Sequence, residues 1–403
     1  MRAVVHIGTE KTGTTTIQNF LHLNREALQK QGVAYLRSPG PVKNRDLATF
    51  CMDEDSVDEH VFTLGIVSAK KRRKWKAAFK RAFEREIRAV GPDIHTVIFS
   101  AEFFQSRLRT ENEVRTLQRL LSPYFETITI LVYLRRQDQF AVSFYSTLCR
   151  SGSTQPDVLK AINGPDEAYA HQFEREYYSL NYYGLVEKWA RVFGRENIVV
   201  RIFERGRLRN GDVLDDFREV SGIVDTPAFV YPQRLNESLS AEMQNALLLF
   251  NRCFPTYLDP DTRVSRHIAL RDYLISRLEG KYAGPERKPS RAEALAFYDM
   301  FAASNQRLAR EYLGSVELFT QDFSDYGERP TGKEPISEAL FADMLLAIGE
   351  FMEQEQAPAS PAAFLRRSAL RLEQRIETVP AGIEQRAYRF LLWLLTSSGL
   401  ARG

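Results

Sequence analysis

The chain has 403 residues, room for one large domain or two of ordinary size. Hydrophobic residues make up 44% and charged residues 27%, which excludes a disordered or fibrous chain. The formal net charge of +3 excludes a whole-protein field directed at nucleic acid, so each basic patch is weighed alone.

The first predicted element is a short buried strand over residues 2–8, "RAVVHIG". It runs into "HIGTEKTGTTTIQ" (6–18), with two glycines, one lysine and five threonines. From Thr14 to Gln31 the pattern turns helical, with Ile17, Phe20, Leu21 and Leu28 on one face. Further strands are expected over 95–102, 127–135 and 197–203, as continuous β-branched runs of the kind buried on both faces. Helical patterns over 75–90, 111–122, 138–149 and 184–193 separate them. This alternation predicts an α/β fold: a P-loop-like open parallel sheet with helices on both faces, and ligands outside the carboxyl ends of the strands.

Beyond about residue 205 the reading is mostly helical, with helices over 211–221, 240–253, 265–280 and 290–313. Residues 325–335 read as a long loop, and 356–363 as a linker before two last helices. The expected domain is 1–330, its sheet core about 1–205 and its helical part about 206–330, followed by a C-terminal helical extension over 331–403. "FLLWLLTSSGL" (390–400) is too short to span a membrane; it reads as a docking helix or, failing that, a peripheral membrane contact. With no visible secretory signal and three scattered cysteines, Cys51, Cys149 and Cys253, the expected place is the cytoplasm.

A general phosphate loop reads G-x-x-x-x-G-K-[ST]. Here Gly8 and Gly13 have that spacing, but Thr14 follows where lysine should stand, and Lys11 precedes the second glycine. The backbone N–H groups of Thr12 to Thr15 would still point at an anion from a helix N-terminus.

The stretch "KTGTT" (11–15) resembles the 5′-phosphosulfate loop of sulfotransferases that use 3′-phosphoadenosine 5′-phosphosulfate (PAPS), whose loop typically reads Pro-Lys-[Ser/Thr]-Gly-Thr-Thr. The resemblance implies that Lys11 contacts the oxygen bridging phosphate and sulfate, and that Thr12, Gly13, Thr14 and Thr15 hold the 5′-phosphate. Glu10 replaces the usual proline, so its carboxylate must point away from the anion or serve another role. Thr16, also counted with the nucleotide contacts, replaces a tryptophan that cytosolic members place near the adenine. The same resemblance pairs Arg135 with Ser143, eight residues on, at the 3′-phosphate. Residues 179–205 and 234–240 resemble the bacterial glycan-type branch more loosely.

That family needs no metal, and its acceptor in this branch is a carbohydrate hydroxyl. The expected base is Glu102, at the end of the second long strand in "FSAE", with His6 and Glu10 as alternatives. The basic run "KKRRKWKAAFKR" (70–81) reads as a solvated helix face or as a rim for an anionic acceptor; nucleic acid is not expected. Two other readings stay open: a nucleotide-dependent kinase, which a magnesium requirement would favour, and a non-catalytic nucleotide-binding scaffold.

Overall fold

The computed structural model describes residues 1–66, 68–163, 180–233, 238–254 and 266–354. The expected linker at 356–363, the apolar stretch at 390–400 and residues 234–237 lie outside the described residues. Two compact units divide the chain. The first comprises Met1–Phe140, Glu174–Asn236 and Leu295–Phe323; the second comprises Ala141–Phe173, Glu237–Ala294 and Ser324–Gly403.

The first unit is built on five strands: β1 (Arg2–His6), β2 (Val33–Ala34), β3 (Thr96–Ser100), β4 (Thr127–Leu134) and β5 (Ile198–Ile202). Their order is β2-β3-β1-β4-β5, and every pairing is parallel. The expected α/β class with an open parallel sheet is therefore the observed one. β1 is central because its residues have no polar face to show water: Ala3, Val4, Val5 and His6 are all buried. In register, His6 stands beside Ser100 of β3 and Leu131 of β4. The loop leaving β1 is thus flanked by the chain leaving β3 and the chain leaving β4.

Alternation sends Val4, Ile98, Leu131 and Tyr133 to one face of the sheet, where they pack with Ile17, Phe20, Leu21, Leu214 and Phe217. The first four come from the strands, and the rest from the helices α1 (Thr14–Leu23) and Val213–Ser221. On the other face Phe99 meets Phe83 and Phe125, with ring centroids 6.1 and 5.9 Å apart. Each such side chain removed from water contributes about 1.5–3 kcal/mol. Tyr133 donates to Asp216 at 2.8 Å, and Arg201 donates to the same carboxylate, so β4, β5 and the helix Val213–Ser221 are tied by one buried cluster.

The second unit has the helices Ala241–Cys253, Arg266–Leu278 and Glu338–Gln354. The Ser146 hydroxyl accepts from Leu239 N and Gln244 Nε2, both at 3.0 Å, and Asn251 Nδ2 donates to the Cys149 and Ser153 carbonyls.

Three expected elements differ. The helix expected over 14–31 breaks at Asn24, whose amide donates to the Phe20 and Val230 carbonyls while its oxygen accepts from Val230 N at 2.7 Å. The helix expected over 75–90 begins earlier, at Ala69, because Ser68 caps it by accepting from Lys71 N at 3.3 Å. The helix expected over 290–313 is three pieces, Arg291–Asp299, Ala302–Leu308 and the π-turn Ala309–Leu313. Short elements at Val33–Ala34, Arg45–Cys51 and Glu59–Thr63 had no periodic signal long enough to predict.

Candidate active site

The loop after β1 stays pinned to β4. Ile7 N donates to Leu131 O, Thr9 N donates to Tyr133 O, both at 2.9 Å, and Tyr133 N donates to Gly8 O at 2.7 Å. The chain then turns at Lys11, which adopts φ 61°, a left-handed conformation uncommon outside glycine. Thr12 closes the turn with its hydroxyl on Thr9 O at 2.5 Å. Gly13 caps α1 at φ 77° and offers no side chain to the first-turn N–H groups. A Cβ there would come within 2.9 Å of Val213 Cγ1, so both conformation and space demand glycine. The N-terminal turn of α1 is thereby left as bare backbone over Thr14, Thr15 and Thr16, of which Thr14 is buried and the other two partly buried.

Arg135, the first residue after β4, donates from Nη1 to Lys11 O at 3.2 Å. Its own carbonyl is held by the Tyr182 hydroxyl at 2.7 Å. Its guanidinium lies 5.8 Å from the centre of the Phe203 ring, and Phe203 Cε2 also lies 3.5 Å from the position a Gly13 Cβ would take. Lys11, Gly13, Arg135 and Phe203 therefore share one corner at the carboxyl ends of β1, β4 and β5. Ser143 lies partly buried in the helix Gln137–Arg150, where it falls within the second unit; its pairing with Arg135 remains an expectation of the spacing.

On the other flank of β1, Glu102 is only 7% exposed. It receives Gln18 Nε2 at 2.7 Å on one oxygen, and Lys43 Nζ lies 3.6 Å from the other. Its Cα would stand 3.1 Å from a Cβ on Gly8, so the β1 loop passes tightly over the end of β3. Lys43 is placed by Asn44, which exchanges hydrogen bonds with the Ser100 backbone, N to O at 3.1 Å and Oδ1 from N at 2.8 Å.

Glu10 turns to this same flank and is partly buried. Burial pushes its carboxyl above the usual carboxylate range; Arg107 pulls the other way, the neighbouring charge of Glu102 adds to the rise, and Ser106 and Lys11 oppose it. Glu10 and Glu102 thus share this flank with Lys43 and Arg107. His6, by contrast, is fully buried in the sheet, shares a hydrogen bond between Nδ1 and Ser100 Oγ at 2.8 Å, and lies edge-on to Tyr133. Burial lowers its pKa to about 3, which keeps it neutral and leaves it a core residue.

Sequence reasoning missed Gln18, Lys43, Arg107 and Phe203. Gln18 follows Ile17 on α1 and is fully buried although polar, with Oε1 lacking a hydrogen-bond partner, which no sequence pattern announces. Lys43 and Arg107 come from loops and a short helix with no pattern to read. One corner therefore presents the Arg135 guanidinium beside a helix first turn that no side chain caps, and the adjoining flank presents carboxyl groups.

No protein-family model matches the chain. A protein of Archaeoglobus fulgidus described only as uncharacterized is 25% identical over 258 residues, which is 63% of this chain and 65% of that protein. The chain thus matches somewhat less than two thirds of that relative's length. The crystal structure of a sulfotransferase from Alicyclobacillus acidocaldarius resembles it with a TM-score of 0.37 and 19% identity, covering 62% of this chain and 91% of that one. At that score no residue is carried from one to the other.

Proposed function

We propose that the chain is a PAPS-dependent sulfotransferase that moves a sulfuryl group to an acceptor hydroxyl on a carbohydrate. The observation that carries this reading is the corner where Arg135 reaches Lys11 O at 3.2 Å beside a helix N-terminus capped by side-chain-free Gly13. A guanidinium beside a helix first turn that no side chain caps suits an anionic nucleotide. Lys11 and residues Thr12 to Thr16 would hold the 5′ end, Arg135 the 3′-phosphate, and the partly buried Phe203 ring offers the base an apolar face in place of the missing tryptophan. Bound there, PAPS supplies a sulfuryl group whose departure leaves negative charge on a phosphate oxygen.

The chain's own part is placement and charge. Lys11 stabilises the oxygen left behind, in a site where a fixed cation acts more strongly than in water. Glu102, oriented by Gln18 and Lys43, removes the proton from the acceptor hydroxyl as that oxygen bonds to sulfur. No metal is required by this division of labour. The three buried cysteines, Cys51, Cys149 and Cys253, are in keeping with a cytoplasmic enzyme. On this reading the catalytic domain spans residues 1–330 and residues 331–403 are an extension.

The test is nucleotide choice by thermal melting. 3′,5′-Bisphosphoadenosine at a hundredfold excess over its Kd should add about 2.7 kcal/mol of stability. ATP and AMP, which lack the 3′-phosphate, should add much less, with or without magnesium. Equal stabilisation by ATP with magnesium would overturn the reading in favour of a kinase. Radiolabelled sulfate transfer from PAPS to a panel of glycans, lipids and phenols then identifies the acceptor.

A further inference from the structure

The helix Ala69–Arg88 carries a charge pattern that the proposed chemistry leaves unused. Lys70, Lys71, Arg73, Lys74, Lys80, Arg81, Arg85 and Arg88 are all exposed. Projected at 3.6 residues per turn, Lys70, Lys74, Arg81, Arg85 and Arg88 fall on one side in a row about 27 Å long. The two acidic residues of the helix do not neutralise that row. Glu86 accepts from Arg37 N and Ser38 N at 2.8 and 2.7 Å, and Glu84 lies 3.8 Å from Lys80.

This placement opposes the helix's own stability. The first turn has cations and no acidic residue, against the positive end of the helix dipole. Lys70 with Lys74 and Arg81 with Arg85 are like charges at i,i+4, which repel. An anionic polymer laid along the row would relieve both penalties.

We propose that the outer face of the helix Ala69–Arg88 docks a linear acidic polysaccharide. That the polymer is a polysaccharide rests on the carbohydrate acceptor proposed above; that it is a polyanion rests on the helix alone. A lipid surface would need apolar groups to insert. The large apolar side chains of this helix, Phe79, Phe83 and Ile87, are buried, and Trp75 stacks on Phe79 with centroids 5.5 Å apart. Single-stranded nucleic acid would need exposed aromatic rings for its bases, and this face exposes only cations and alanines.

The same helix is tied to the acceptor side of the site. Arg72 donates to the Asp53 and Ser56 carbonyls, and Lys76 donates to Met52 O at 2.6 Å. Those carbonyls belong to the stretch 43–58, whose Lys43 pairs with Glu102 and whose Asp58 pairs with Arg107 at 3.2 Å. Arg72 and Lys76 project from the side of the helix opposite the cationic row, so the helix stands between that stretch and a chain bound along its outer face.

The experiment is a nucleotide-free titration of the whole chain with polygalacturonate, dextran sulfate and neutral dextran at about 50 and 200 mM salt. Both acidic polymers should bind, neutral dextran should not, and affinity should fall linearly in log–log form with salt. The variant K70A/K74A/R81A/R85A should lose roughly tenfold or more, with the salt slope reduced by about 0.7–0.9 per cation removed. A K74Q/R81Q variant should show a graded loss, and both should melt no lower than the wild type. Unchanged affinity in either variant overturns the proposal, as does equal binding of neutral dextran. Tighter binding, per charge, of phosphatidylserine vesicles or of poly(dT) overturns it in favour of those partners. Since no nucleotide is present, failure here leaves the PAPS reading intact, and failure of 3′,5′-bisphosphoadenosine to stabilise the chain leaves this titration unchanged.

Discussion

On the β4 side of the central strand the exit loops present Lys11 and Arg135; on the β3 side they present Glu10 and Glu102. The two flanks are built from the same device, a loop held over a parallel strand end, yet one brings Arg135 to the loop and the other brings two carboxyl groups. The cationic flank gains its character from backbone geometry: Lys11 at positive φ, Gly13 without a side chain, and Arg135 drawn to a loop carbonyl. The acidic flank gains its character from burial and from neighbours: Gln18, Lys43, Ser106 and Arg107 come from four separate places in the sequence. The contrast teaches why one corner was readable in advance and the other only partly.

The sharpest way to break the comparison is to disable one flank and watch the other. Glu102→Gln keeps the shape and the contact with Gln18 but cannot take a proton. It should lower turnover by roughly 10²–10⁴ while leaving 3′,5′-bisphosphoadenosine affinity nearly unchanged. Lys11→Ala keeps the same backbone demand and removes the ammonium, so it should lower turnover by about 10²–10³, equivalent to 3–4 kcal/mol of transition-state stabilisation. Calorimetric affinity beside turnover for both variants checks the division. A Glu102→Gln enzyme that keeps more than about a third of wild-type turnover, well outside that range, would move the base to Glu10.

A smaller effect sharpens the cationic flank. Arg135→Ala should weaken 3′,5′-bisphosphoadenosine by about 10- to 150-fold, the worth of one charge-assisted contact. Adenosine 5′-phosphosulfate, which has no 3′-phosphate, should be little affected. Equal losses for both ligands would mean that Arg135 acts instead by holding the Lys11 turn through its 3.2 Å bond.

Legibility follows from how local each feature is. The four long strands and most helices were readable because buried parallel strands are continuous apolar runs and amphipathic helices repeat at 3.6. Lys11, Gly13 and Arg135 were readable because a strand end and a helix start lie within a few residues of them. The break at Asn24 was not, since it depends on Val230, 206 residues away. Nor were the partners of Glu102, because Lys43 approaches through Asn44's grip on Ser100, a contact between segments 56 residues apart. Glu10 was readable as an anomaly in the loop, but its inward turn depends on Ser106 and Arg107 in a five-residue helix that no periodicity announces.

The smallest predicted effect separates the carboxyl flank from the core histidine beside it by pH. Glu10 has a raised pKa in the folded chain, so between the ordinary value of about 4.3 and that raised value the folded state holds more proton than the unfolded one. Stability therefore falls as pH rises through this window. Glu10→Gln removes the loss: the variant should melt above the wild type at neutral pH, and the gap should close as the pH approaches about 4. His6 has the opposite sign. Its pKa drops to about 3 on burial, so the unfolded chain takes up the proton first and stability is lost as pH falls below about 6.5. Glu10→Gln should leave that acid limb where it is. Melting curves from pH 4 to 8 for wild type and variant decide the matter. If the variant shifts the acid limb, or if its advantage grows towards low pH, then Glu10 is held as a charged partner of Arg107 in the folded chain and its pKa is not raised by burial.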